Sequence, residues 1–211
     1  MIRSVMFDFG GVITTSPFEA FARFEREQGL PPDFIRRINS TNPDTNAWAQ
    51  LERGEVDFDV FCERFEAEAE SLGHRLDARA VMAGLSGELR PAMVDAVRIC
   101  SVRFRTACLT NNFAPVATTG RPDLAGVLSL FHAVLESSTL GVRKPDPRFY
   151  QMACDALEVE PHEVVYLDDL GINLKPARQM GMQTIKVVSA DDALSALSAL
   201  IDLPLGRPTP S

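Results

Sequence analysis

The chain has 211 residues, 45% hydrophobic and 24% charged, which suits one packed core with an inserted subdomain and excludes a bare peptide or a disordered tail. A formal charge of -8 excludes a general nucleic-acid binder, whose footprint would be a basic patch. The four cysteines, Cys62, Cys100, Cys108 and Cys154, form no C-x-x-C pair and sit in apolar segments, so they read as reduced core thiols.

No apolar run approaches the roughly 18 residues of a membrane span, and the chain enters a strand pattern without a cleavable apolar segment. A soluble cytoplasmic protein is expected. The first strand pattern is IRSVMF at 2–7, and the next, RTACLT at 105–110, follows almost a hundred residues later. That interval is too long for one crossover helix.

It is helical throughout. Ser16 can cap a helix opened by Pro17, with Glu19 placed to close a capping box. Phe18, Phe21 and Phe24 share a face of that helix, and Phe58, Phe61, Cys62, Phe65, Ala69 and Leu72 stripe a later one that Gly73 can end. Residues 40–46, STNPDTN, read as a loop, 86–89, SGEL, as a return linker, and Pro91 as the start of the next core helix.

Further apolar runs at 133–135, 164–167 and 184–188 alternate with helices, one opened by Asp146-Pro147 and one beginning near Asn173 and ended by Gly181. Continuous apolar runs suit strands buried on both faces. The predicted fold is α/β, a doubly wound parallel sheet. Residues 1–14 and 87–203 would form its core, 15–86 an all-helical insertion and 204–211 a flexible tail.

In such sheets ligands bind at the carboxyl ends of the strands. There the sequence puts Asp8 after strand one, Thr110-Asn111-Asn112 after strand two and Asp168-Asp169 after strand four, while Lys144 follows strand three at loop distance. These types suit a phosphate with a divalent ion. Asp8 and Asp169 are hard oxygen donors for Mg²⁺, Gly10 can add a carbonyl, and Lys144 offsets carboxylates that would otherwise repel. Thr110, Asn111 and backbone N–H groups near Gly11 can donate to phosphoryl oxygens.

FDFGGV at 7–12, LTNN at 109–112, KPDPRFY at 144–150 and YLDDLGINLKPARQMGM at 166–182 resemble the four motifs of the haloacid dehalogenase (HAD) superfamily, and the insertion resembles its type 1 helical cap. Within that superfamily the chain is similar to phosphatase-like domains found in soluble epoxide hydrolase and in multidomain acyl-CoA dehydrogenases. The resemblance implies Asp8 as a nucleophile forming an aspartyl-phosphate, and Mg²⁺ held by Asp8, the Gly10 carbonyl and Asp169. It further implies Asp168 and Asn173 as supports of the metal shell, Thr110 and Asn111 on the phosphoryl group, and Lys144 as the neutralising cation. The substrate would be a small phosphorylated metabolite, and the protein a monomer or homodimer.

One position departs from the pattern. HAD phosphatases have a second Asp two residues after the nucleophile, as general acid and base, where this chain has Gly10. A general acid/base contributes roughly 10²–10⁴ in rate, so slow hydrolysis of alkyl phosphates is expected, with aryl and acyl phosphates affected less. Two alternatives follow: a weak or silent phosphate-binding module, and a 2-haloacid dehalogenase, whose Ser-Ser-Asn segment is replaced here by Leu167-Asp168-Asp169. A phosphonoacetaldehyde hydrolase would need a cap lysine, and the lysines are Lys144, Lys175 and Lys186.

Overall fold

The computed structural model describes residues 1–85, 87–113 and 121–205. Its sheet has five parallel strands: β1 (Ser4–Phe7), β2 (Arg105–Thr110), β3 (Ala133–Glu136), β4 (Val164–Asp168) and β5 (Gln183–Lys186), in the order β3-β2-β1-β4-β5. The central strands β1 and β4 are buried throughout, whereas the edge strands β3 and β5 each bury a single residue, Leu135 and Ile185. Burial on both faces is why the central strands read as continuous apolar runs.

Within residues 15–86 the described residues form five α-helices: α1 (Pro17–Gln28), α2 (Phe34–Ser40), α3 (Ala47–Glu52), α4 (Phe58–Ser71) and α5 (Ala78–Ala83). The rest are α6 (Pro91–Arg103), α7 (Pro122–Leu128), α8 (Ser137–Leu140), α9 (Pro147–Leu157), α10 (Gly171–Gln179) and α11 (Ala190–Ile201). Alternation along β1 divides the core. Val5 and Phe7 pack with Met93, Val97 and Leu197 of α6 and α11 on one face, while Met6 packs with Phe149, Cys154 and Leu174 of α9 and α10 on the other. Leu203 and Leu205 join the first cluster, and the remainder of the expected tail, 206–211, lies outside the described residues.

The helical insert has its own apolar cluster around Phe21, Phe34, Phe61 and Phe65. Local signals place its helices: Ser16 accepts from Phe18 N and Pro17 opens α1, while Asn46, Asp57 and Asp77 cap α3, α4 and α5. Glu19 does not complete the capping box; only its backbone N–H reaches Ser16. Phe58 is 39% exposed, off the packed stripe and beneath the Arg79 guanidinium.

The two crossings between core and insert run side by side. Thr15 N donates to Glu88 O at 2.8 Å, Arg90 N donates to Ile13 O at 2.8 Å, and Thr14 and Leu89 form an antiparallel bridge. Of the expected linker 86–89, residue 86 lies outside the described residues.

Candidate active site

Register brings the site together. Phe7 lies beside Cys108 of β2 and Leu167 of β4, so Asp8, Leu109 and Asp168 come next in line at the carboxyl edge, with Thr110 one step further. Asp8 is 7% exposed, and its Oδ1 accepts from Phe9 N at 2.6 Å. The chain then makes one wide turn over Phe9–Ile13, closed by Thr14 N donating to Phe9 O at 3.0 Å.

The two glycines of that turn differ. Gly11 has φ +79°, and a Cβ there would lie 2.3 Å from Asp169 Oδ2, so any other residue strains the backbone and displaces the Asp169 carboxylate. Gly10 has ordinary backbone angles (φ -68°, ψ 129°), and its nearest new neighbour for a Cβ is Pro17 Cδ at 3.9 Å. A side chain is tolerated there.

Lys144, 1% exposed, ties the strand ends together. Its Nζ lies 2.7 Å from Asp8 Oδ1 and 3.0 Å from Asp168 Oδ2, and donates to the Tyr166 hydroxyl at 3.2 Å. Asn111 fixes the lysine's backbone: its Oδ1 accepts from Lys144 N at 2.9 Å and its Nδ2 donates to Lys144 O at 3.0 Å. The Asn111 amide is therefore engaged with the lysine loop, while Thr110 lines the same cleft. Gly11 N–H points to Thr15 O at 3.4 Å.

The two aspartates of the fourth motif are treated differently. Asp168 is fully buried and accepts from Leu170 N at 2.7 Å, from Asn173 Nδ2 at 3.1 Å, from Lys144 and from the Tyr166 hydroxyl. Asn173 is steadied in turn by Tyr150, whose hydroxyl donates to Asn173 O at 2.7 Å. Asp169 receives no side-chain donor among the described residues.

Sequence reading missed Tyr166 and Glu52. Tyr166 had a signal, since it lies two residues before Asp168 on one strand and therefore on the same face. Glu52, from the insert, had none: its Oε2 accepts from Asn111 Nδ2 at 3.2 Å and lies 2.7 Å from Arg143 Nε.

The charges do not balance among the described groups. Three carboxylates, Asp8, Asp168 and Asp169, less one ammonium, Lys144, leave two negative charges, with carboxylate oxygens within 4.8 Å of one another. Burial pushes Asp8 well above the usual carboxylate range, and the Asp168 charge adds to this against the pull of Lys144. Asp169 is raised to about 6 by burial and then by Asp168. For Lys144 burial works against the charge, but Asp168 and Asp8 outweigh it and raise its pKa. Asp168 runs the other way: burial alone would raise it, and Lys144 with the Tyr166 hydrogen bond holds it low. The one ammonium is thus shared between Asp8 at 2.7 Å and Asp168 at 3.0 Å, Asp169 has no ion pair among the described residues, and the three carboxylates together stay short of positive charge. A hard oxygen donor set with that deficit fits a divalent cation such as Mg²⁺.

The cleft above these groups has a volume of about 960 Å³. Asp8, Asn111, Lys144 and Asp169 line it from the core, and Phe18, Trp48 and Met82 from the insert.

Residues 2–181 match the family model described as haloacid dehalogenase-like hydrolase, and the chain belongs to that family. It is 32% identical over 99% of its length to acyl-CoA dehydrogenase family member 10 of Mus musculus and 31% identical over 97% of its length to bifunctional epoxide hydrolase 2 of Sus scrofa. It spans only 20% and 40% of those two proteins. A Mycobacterium tuberculosis protein named phosphatase MT3486 is 28% identical over 95% of this chain and 97% of its own. Among solved structures, a HAD family enzyme of Bacteroides thetaiotaomicron, in complex with magnesium and inorganic phosphate, superimposes with TM-score 0.65 at 17% identity, over 93% of this chain and 99% of that one. The chain is a HAD-like hydrolase with a Rossmann-like parallel sheet. No helix among the described residues is long and apolar enough to cross a membrane.

Proposed function

We propose that this hydrolase is a Mg²⁺-dependent phosphatase that takes the phosphoryl group of a small phosphorylated metabolite onto Asp8. The observation that carries this reading is the Asp8 carboxylate: it faces the cleft with Lys144 on one oxygen and an unbalanced Asp169 nearby. Asp8, Asp169 and the Gly10 carbonyl would hold the metal, with Asp168 and Asn173 supporting them. Bound Mg²⁺ supplies charge neutralisation on the transferring phosphoryl oxygens.

The chain's own groups do the rest. Phe9 N–H and Lys144 both hold Asp8 Oδ1, which fixes the rotation of the carboxylate. As its oxygen bonds to phosphorus, the ester oxygen leaves with the electron pair, and the Lys144 charge offsets the negative charge gathering on the phosphoryl group. Thr110, Asn111 and the Gly11 backbone would hold the phosphoryl oxygens, and the insert would act as the cap that keeps water out.

Gly10 sets the leaving group. Nothing at that position can donate a proton to the departing oxygen, so aryl and acyl phosphates are favoured over alkyl phosphates. Water likewise lacks its usual base for the second step, so an aryl phosphate should give a burst of phenol before slow turnover. The test is hydrolysis of an aryl phosphate and of acetyl phosphate with and without Mg²⁺, in the wild type and in Asp8→Asn. Mg²⁺-dependent turnover that disappears in the variant supports the reading. Absence of such turnover across a broad phosphate panel favours the second reading, a phosphate-binding module, for which Gly10 is the motivating observation.

A further inference from the structure

Glu52 ends α3 of the insert, yet it is 8% exposed and its carboxylate sits among groups of the catalytic floor. Oε1 accepts from Trp48 Nε1 at 2.8 Å; Oε2 accepts from Asn111 Nδ2 at 3.2 Å and pairs with Arg143 at 2.7 Å. Arg143 in turn donates to Pro43 O in the insert at 2.9 Å. Two residues beyond Glu52 the backbone presses on the core: a Cβ at Gly54, φ +67°, would lie 2.5 Å from Ser138 O. The insert is thus docked closely at this point.

An amide nitrogen has two hydrogens. One on Asn111 goes to Lys144 O and the other to Glu52 Oε2. A phosphoryl oxygen that takes a hydrogen bond from this side chain without disturbing Lys144 must therefore displace Glu52. The exchange is anion for anion, and Arg143 lines the same cleft, where it can follow either.

Resting on the phosphoryl-site reading above, we infer that Glu52 holds the place of the phosphoryl anion at Asn111, and that phosphoryl binding releases it, so that the insert senses occupancy of the site through Glu52. It is a positioning residue, acting through Asn111 and Arg143. Trp48 is the one tryptophan of the chain, so its emission reports the Glu52 contact directly.

The experiment titrates the full chain with inorganic phosphate in Mg²⁺, by calorimetry and by Trp48 emission. Wild-type emission should shift on saturation. Glu52→Gln should bind phosphate about tenfold tighter, the scale of one charge-assisted hydrogen bond no longer competed for. Asp44→Asn, which removes another carboxylate of the cleft, controls for simple loss of charge and should change affinity less than about twofold. Trp48→Phe removes a donor from Glu52 within the aromatic cluster and, followed by calorimetry, should tighten binding about two- to threefold. A structural defect would weaken binding, not strengthen it, and Trp48→Phe keeps the test open should Glu52→Gln misfold. Phosphate binding with no gain beyond Asp44→Asn, or with no change in Trp48 emission, overturns the inference alone. Absence of phosphate binding in every form overturns the phosphoryl site and this inference together.

Discussion

The Gly11 backbone lies against the Asp169 carboxylate so closely that a Cβ on Gly11 would sit 2.3 Å from Oδ2 and 2.5 Å from Cγ. The glycine three residues after Asp8 is therefore a shape requirement of the fourth motif, set across the sheet. Gly11→Ala adds a left-handed backbone, costing roughly 1 kcal/mol, to a displaced Asp169. Mg²⁺ affinity should fall about 10- to 100-fold, in the range seen when groups orienting metal ligands are disturbed. A Mg²⁺ titration of phosphatase activity measures it, and an unchanged midpoint would remove Asp169 from the metal site.

Gly10 has no such constraint. Because its angles suit any residue and its Cβ direction meets only Pro17 Cδ at 3.9 Å, Gly10→Asp should fold normally. If proton transfer limits the rate, the variant should gain at least tenfold on alkyl phosphates, part of the roughly 10²–10⁴ that a general acid supplies, with little gain on aryl phosphates. Gly10→Ala serves as the steric control. Equal gains on both substrate classes would mean that leaving-group protonation is not the missing step.

Tyr166 joins Lys144 to Asp168 through a fully buried hydroxyl. Tyr166→Phe keeps the ring packed on Tyr150 and leaves Asp168 with Asn173, Leu170 N and Lys144. Loss of one buried hydrogen bond to a charged group costs about 1.5–3 kcal/mol, and the looser lysine should lower kcat more than it raises KM. Thermal melts together with steady-state kinetics separate the two effects. A stability loss with unchanged kcat would make Tyr166 a packing residue only.

The Asp169 carboxyl, held at about 6, lies above its ordinary 3.8. A carboxyl raised in the folded state favours folding while protonated, and that contribution disappears as pH rises through about 6. Metal-free protein should thus lose stability from pH 5 to 7.5, with about 1 kcal/mol left after solvent screening, or about 2–4 °C in Tm. Mg²⁺ should raise Tm more at pH 7.5 than at 5, and Asp169→Asn should remove most of that difference. Equal Mg²⁺ shifts at both pH values would contradict the assignment.

The strands were legible because their chemistry is local. β1 and β4 are buried on both faces and must be apolar throughout, so the polar residues that follow them, Asp8 and Asp168-Asp169, stand out against the pattern. Helix starts at Pro17, Pro91 and Pro147 were legible for the same reason: a capping side chain or a proline acts within a few residues. Motif spacing then pointed to the family whose model the chain matches.

Only the tertiary structure separated the two glycines, since their difference lies in φ and in the approach of Asp169, not in anything flanking them. It also turned the Asn111 side chain toward Lys144 and brought Glu52 to it across 59 residues of chain. Sequence by itself determined which residues stand at the strand ends, because burial and capping are written in neighbouring residues. Which of them touch was decided by sheet register and by the docking of the insert, where the partners are far apart in the chain and no local period relates them.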